Sequence, residues 1–427
     1  MIPKFLGASG ALMAAIGFLP ALAETCPRGA DALYAHLSLD QAVRQALESD
    51  LRPGVARAAV ATARTERAVA ALRPSDTVSL DFENFPGVGL AAEIESLEVT
   101  ATFNRVWERG GKREARSTLA ERSIDTAEAG LDISKADIAF EIQSLYVDLA
   151  LTQERAALAA ARLEAARTAE ALIAKRVEAA RDPLLAGSRA ATDALIAEGE
   201  LSRLTQDADR LRATLADFWA GSTDFAVDLC GLSPDEGHTE HTLDVSRSPE
   251  LARLEAQRSQ AQAAIRLAEA ERVPDVTWSA GVRKFGIDES LGVLGGVSVP
   301  LGAPKRAGPY EQQAGAQARQ IEAEADALRQ SLLRESARLE RAALGAKDAL
   351  AHLDTGPLPE AERAVRLAND GYARGAFSYL DVLDAQRLLF DLREQRLDFL
   401  RSYHLAEAAL ARLQARNLPA TPQETAP

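Results

Sequence analysis

The chain's 427 residues are enough for two or three ordinary domains; 47% are hydrophobic but only 5% aromatic, and the formal net charge is −14. This alanine- and leucine-rich make-up suits close-packed helices rather than an aromatic core. The acidic balance argues against nucleic acid, whose phosphates are neutralised by lysine and arginine, and suits a surface or lumen that attracts cations.

Residues 1–23 read as an export signal: Lys4 supplies positive charge, an apolar run extends from Phe5 to Leu19, and Ala21-Leu22-Ala23 offers a small-x-small cleavage site. Nowhere else do eighteen apolar residues stand in a row, so no transmembrane helix is expected; a barrel strand would leave a fainter trace. Cys26 and Cys230 are the two cysteines. In an oxidising compartment they could form a disulfide, or they could be unrelated thiols.

The rest of the chain states one order of parts twice, at an offset of about 195 residues. The first repeat is assigned to 24–220 and the second to 248–416. A helix opens near Pro53 behind Asp50, and another at Pro249 behind Ser248; Pro74 and Pro274 stop them. Each is followed by a β-hairpin, at 77–106 and 275–301. Period two is clear in both. Val78, Leu80 and Phe82 alternate with Ser79, Asp81 and Glu83, and Leu97, Val99, Ala101 and Phe103 with Glu98, Thr100, Thr102 and Asn104. In the second repeat Val276, Trp278, Ala280 and Val282 alternate with Thr277, Ser279, Gly281 and Arg283, and Val293, Gly295, Val297 and Val299 share a face. Two hairpins make no stable sheet alone, but several copies could pool them into one closed barrel, apolar faces to lipid and polar faces to water.

Each hairpin leads through a basic turn, Arg109-Gly-Gly-Lys-Arg113 or Gly302-Ala-Pro-Lys-Arg306, into a very long helix, expected over 112–181 and 305–371. The first would be a rod of about 105 Å; the second should kink or break at Gly356-Pro357. Return helices are expected over 184–218 and 379–415, the latter with a seam of Leu380, Leu383, Ala385, Leu388, Leu392, Leu397 and Leu400. Helices of such length point to coiled-coil or helical-barrel architecture. The polar stretch 221–247 reads as a connector of little regular structure, and 417–427 as a disordered tail. In the connector His238 and His241, flanked by Glu236 and Glu240, form a candidate loop for zinc, cobalt or nickel, against the plainer reading of a solvated linker.

This order of parts resembles the TolC family of outer-membrane factors over about residues 38–416. The sharpest match is Gly371-Tyr-Ala-Arg-Gly-Ala-Phe-Ser-Tyr-Leu-Asp-Val-Leu-Asp-Ala-Gln386, similar to the family's second periplasmic tip. Leu80-Asp-Phe-Glu-Asn-Phe85 and Gly110-Gly-Lys-Arg113 resemble the branch paired with heavy-metal (cobalt–zinc–cadmium, CzcC-like) pumps. The implied fold is mainly α with a small β part: long helical hairpins forming an α-barrel, and two β-hairpins per chain in a trimeric, twelve-stranded transmembrane β-barrel. The implied setting is the Gram-negative outer membrane, with the helical barrel in the periplasm, as the passive exit duct of a tripartite efflux pump. Its partners would be two further copies, outer-membrane lipid, a periplasmic membrane-fusion adaptor and an inner-membrane resistance-nodulation-division pump.

The resemblance assigns Asp381 and Asp384 to a ring of carboxylates at the channel constriction, which would attract cations. Spacing alone would also fit ordinary exposed charges near a helix N-terminus. Tyr372 matches a latch tyrosine, and Phe377 stands where the family has an arginine, so an apolar latch is expected. Arg176, Val177, Arg181 and Pro183 on one tip, with Gly371, Arg374, Gly375, Ala376 and Ser378 on the other, are the expected adaptor contacts. No phosphate-cradling loop or Ser/His/Asp grouping stands out, so neither enzyme activity nor a cofactor is expected. The same duct could instead serve drugs or secreted proteins. A soluble periplasmic coiled-coil adaptor is the rival that the four alternating strands argue against.

Overall fold

The computed structural model describes residues 35–84, 97–227, 244–286, 290–416 and 418. A short strand β1 (Ala35–Leu37) leads into α1 (Leu39–Ser49), opened by a capping box in which Ser38 and Gln41 satisfy each other's backbone N–H. Asp50 both ends α1 and starts α2 (Leu51–Ala70), its carboxylate accepting from the Arg52 N–H at 2.7 Å. The helix therefore begins two residues before the expected Pro53, because the cap lies at Asp50.

Strands β2 (Thr77–Glu83) and β3 (Glu98–Trp107) form the first hairpin. Next come α3 (Lys112–Glu178) and the return helix α4 (Leu184–Asp217). Strand β4 (Phe225–Val227) and a 3-10 turn (Val245–Arg247) precede the second repeat: α5 (Pro249–Ala270), β5 (Val276–Lys284), β6 (Leu291–Ser298), α6 (Ala303–Thr355), α7 (Pro357–Ala373) and α8 (Tyr379–Leu413). The second rod breaks into α6 and α7 at Gly356, where Pro357 has no N–H to continue the ladder. No described helix is long and apolar enough to cross a membrane.

The 67 residues of α3 span about 100 Å. It packs on α2 and α5 towards the sheet and on α4 and α8 beyond, while α6 packs on α5 and α8. The two repeats thus share α3 as a common wall. Its middle is buried on two faces. Ala139, Ile142, Tyr146 and Leu149 pack with α1, α4 and β4; Val147, Ala150 and Leu151 pack with Leu350, Leu397 and Leu400 of α6 and α8. Each large aliphatic side chain buried there contributes about 1.5–3 kcal/mol.

The connector is more ordered at its start than expected. Phe225–Val227 pairs in parallel with Ala35–Leu37, and the Tyr146 hydroxyl donates to the Leu37 carbonyl at 2.9 Å. Three residues carry no readable period, so only the distant partner strand reveals this one. The expected seam on α8 also needs correction. Val382, Leu383, Leu389, Phe390, Leu397 and Leu400 are buried, whereas Leu380 and Leu388 are half exposed on the single chain.

Candidate functional site

Two regions at opposite ends of α3 carry the features of interest: a β-sheet at its start and a pair of turns at its end. The sheet has order β2-β3-β5-β6, antiparallel throughout, so β3 and β5 join the two hairpins and leave β2 and β6 as unpaired edges. Register aligns the alternation across all four strands: Leu80 lies opposite Ala101, Ala101 opposite Val282, and Val282 opposite Val293. The middle of one face is therefore apolar from edge to edge, yet uncovered; Val78 is 72% and Val293 89% exposed. The other face carries a cluster in which Arg283 donates to Thr100 at 2.9 Å and pairs with Glu98 at 3.2 Å and Glu83 at 3.1 Å, linking three strands.

The sheet is locked to the helices by Lys112. This cation, only 5% exposed, starts α3 and pairs with Asp275 at 2.9 Å and Glu271 at 3.5 Å, while Asp275 also accepts from the Arg109 N–H. Gly110 has φ +73, and a Cβ there would sit 2.7 Å from Val273 Cβ, so the turn can approach the end of α5 only as glycine.

At the far end, α3 and α7 finish in the same turn. The Arg181 and Asp182 N–H groups donate to the Arg176 carbonyl, and the Ala376 and Phe377 N–H groups to the Gly371 carbonyl. Ala180 (φ 52) and Gly375 (φ 74) supply the left-handed residue in each. Position 176 thus corresponds to 371, and 182 to 377. The first turn is closed by an ion pair, Arg176 Nε to Asp182 Oδ2 at 2.7 Å. The second is closed by the Phe377 ring lying over Gly371 so tightly that any side chain at 371 would collide with it.

The turns also touch each other. The Arg176 guanidinium lies 5.0 Å above the Tyr372 ring, and Tyr372 packs on Tyr379 with centroids 6.1 Å apart. Arg387 of α8 reaches Asp193 of α4 at 3.3 Å. Arg176 beside it holds the Asp182 carboxyl below the usual carboxylate range. Burial pushes the Tyr372 hydroxyl up, against Arg176, and pushes that of Tyr379 up to about 12. Neither hydroxyl has a hydrogen-bond partner among the described residues.

The two aspartates singled out in the sequence behave differently. Asp381 completes a capping box: Ser378 N–H and Oγ donate to its Oδ2 at 2.8 and 2.7 Å, which lowers its pKa. Asp384 is 76% exposed at the side chain and makes only a long ion pair with Arg387, at 4.0 Å. Arg181, Pro183, Arg374, Gly375, Ala376 and Ser378 are exposed at the turns, Val177 is half-buried, and Gly371 and Tyr372 are buried. Cys26, Cys230, His238 and His241 lie outside the described residues.

Residues 245–416 match the model of the outer membrane efflux protein family. The chain is 29% identical over 322 residues to the cobalt-zinc-cadmium resistance protein CzcC of Cupriavidus metallidurans, covering 74% of this chain and 77% of that one. A second relative, the nickel and cobalt resistance protein CnrC of the same organism, is 28% identical over 57% of this chain and 60% of its own. The fold is that of the solved outer-membrane channels: VceC of Vibrio cholerae superposes with a TM-score of 0.71 at 20% identity, covering 88% of this chain and 96% of that one. CusC superposes with a TM-score of 0.73 at 15% identity, covering 91% and 95%.

Sequence reading missed Asp182, Asp193, Tyr379 and Arg387. The signal for Asp182 was present in the repeat itself, since the offset that carries Gly371 onto Arg176 carries Phe377 onto Asp182. Nothing in the sequence pairs Arg387 with Asp193, which meet across α8 and α4 only in the folded chain.

Proposed function

We propose that this chain is the exit duct of a tripartite efflux system for divalent metal cations. Three copies join their β2 and β6 edges into one twelve-stranded barrel in the outer membrane, and their helices enclose a periplasmic tunnel. The observation that carries this reading is the sheet. It has an uncovered face whose middle is apolar from edge to edge, a polar opposite face and two unpaired edges, at the end of helices about 100 Å long. Pairing the edges of neighbouring copies removes every open edge and gives the apolar face to lipid.

The turns at the far end form the gate. Asp384, unlike Asp381, keeps an exposed carboxylate with only a long contact to Arg387, so a ring of three Asp384 side chains facing the lumen supplies the field that draws cations in. The exposed turn residues Arg181, Pro183, Arg374, Gly375 and Ala376 form the surface on which a periplasmic adaptor docks, below an inner-membrane resistance-nodulation-division pump. Metal as cargo rests on the metal-resistance relatives. The protein works by passage rather than by chemistry.

The decisive experiment is planar-bilayer recording of protein purified from outer membranes, paired with metal tolerance of a host lacking the gene. Small cation-selective currents, with loss of cobalt, zinc or cadmium tolerance in the deletion, are expected. Folded protein that never enters the membrane fraction and gives no current would refute the duct. Intact metal tolerance alongside lost drug tolerance would keep the duct and change its cargo.

A further inference from the structure

On the apolar face of the sheet the residues are not distributed evenly along the strands. The two rungs nearest the helices carry Trp107 opposite Val276, and Arg105 directly across from Trp278. Two of the three tryptophans of the chain stand there, 60% and 52% exposed. The middle of the same face holds Leu80, Ala101, Val282 and Val293, without a polar group. The far rung holds Phe82, Val99, Lys284 and Leu291. Trp107 and Val99 are separated by about 27 Å of strand. Tilted by about 40°, such a strand covers ~20 Å of depth, close to the ~25 Å apolar band of outer-membrane barrels.

Arg105 is built for a polar boundary. Asp76 holds it through Nε at 3.0 Å and Nη2 at 2.6 Å, and its guanidinium lies 5.5 Å from the Phe103 ring. This fork fixes the group while leaving Nη1 without a partner among the described residues. A rigid, outward-facing guanidinium between two exposed indoles matches the chemistry of a phospholipid headgroup: indole for the amphipathic boundary, arginine N–H for a phosphate oxygen.

We propose that Arg105, Trp107 and Trp278 form a headgroup-level belt on the periplasmic leaflet, in which Arg105 Nη1 binds a phospholipid phosphate and so sets the depth of the barrel. This deepens, and rests on, the membrane reading of the sheet.

The full chain, carrying Trp219→Phe, would be reconstituted in vesicles of phosphatidylethanolamine and phosphatidylglycerol. The vesicles would include phosphatidylcholine brominated either near the glycerol backbone or near the acyl methyl end. Trp107 and Trp278 should be quenched mainly by the shallow bromine; stronger quenching by the deep bromine overturns the belt. A Leu80→Trp reporter in a background of Trp107→Phe, Trp278→Phe and Trp219→Phe should be quenched by the deep bromine. If that reporter is quenched by neither probe, the membrane reading itself fails and the belt with it. In native mass spectrometry, Arg105→Gln should retain phosphatidylglycerol about fivefold less than wild type, with Arg105→Lys between the two. Equal retention in all three overturns the phosphate contact.

Discussion

Phe377 and Asp182 occupy the same position in two copies of one helix-ending turn, about 195 residues apart, and close it by opposite chemistry. Asp182 grips Arg176 with a carboxylate; Phe377 lies on Gly371 with a ring. A repeated backbone thus carries an ionic clasp on one hairpin and an apolar one on the other, and Arg176 joins them through the face of Tyr372.

The apolar clasp predicts that Gly371→Ala is costly out of proportion to one methyl group. Displacing Phe377 should destabilise the turn by about 1–3 kcal/mol and raise the resting current in bilayers. Adding Phe377→Ala to Gly371→Ala should recover part of the loss; strict additivity of the two variants would show that the ring contact carries no energy.

The ionic clasp has a defined pH response. Arg176 depresses the Asp182 pKa, so the contribution of the pair is complete above the unfolded-chain value of about 3.9 and is lost as pH falls through the lower folded value. Resting conductance should therefore be flat from neutral pH down to about 4 and rise only below it. Asp182→Asn should remove that acid-side rise; a rise centred near pH 6 would implicate a different group.

The two aspartates of α8 should separate by function. Asp384→Asn is expected to lower cation-over-anion permeability by about two- to fivefold, with little change in melting. Asp381→Asn should leave selectivity nearly intact while loosening the start of α8, because its carboxylate is engaged with Ser378. Reversal potentials under a salt gradient, measured on both variants, decide between this assignment and equal roles.

At the junction, Asp275→Asn leaves the buried Lys112 cation with only the more distant Glu271, and should cost about 1–3 kcal/mol. Lys112→Met, which removes the buried charge instead, should cost less. Thermal unfolding of the detergent-solubilised protein would show it, and the opposite order would mean that packing rather than charge holds the sheet to α3.

Ala180 sits at φ 52 where the equivalent residue of the second turn is glycine. Ala180→Gly should stabilise the turn by about 0.5–1 kcal/mol, the left-handed penalty outweighing the added unfolded-state freedom. A lowered melting temperature would contradict that account of the strain.

Much of this architecture is written locally. Alternation at Val78–Phe82 and Val276–Val282 determines two faces of each strand because side chains alternate with period two, and the unbroken stretch after Lys112 determines a long rod because nothing in it interrupts the helical ladder. The family likeness at Gly371–Gln386 was legible for the same reason: a turn and a cap are short-range objects.

What only the tertiary structure decided are relations between segments distant in sequence. The β3–β5 join, the β1–β4 pair, the burial of Lys112 against Asp275 and the meeting of Arg176 with Tyr372 depend on how α3 is shared between the repeats. The same holds for the division of labour between Asp381 and Asp384. Both carry a carboxylate on the first turns of one helix, and the sequence treats them alike; the geometry of Ser378 engages one and leaves the other exposed, because a side chain can close on an N-cap from the third helical position but not from the sixth.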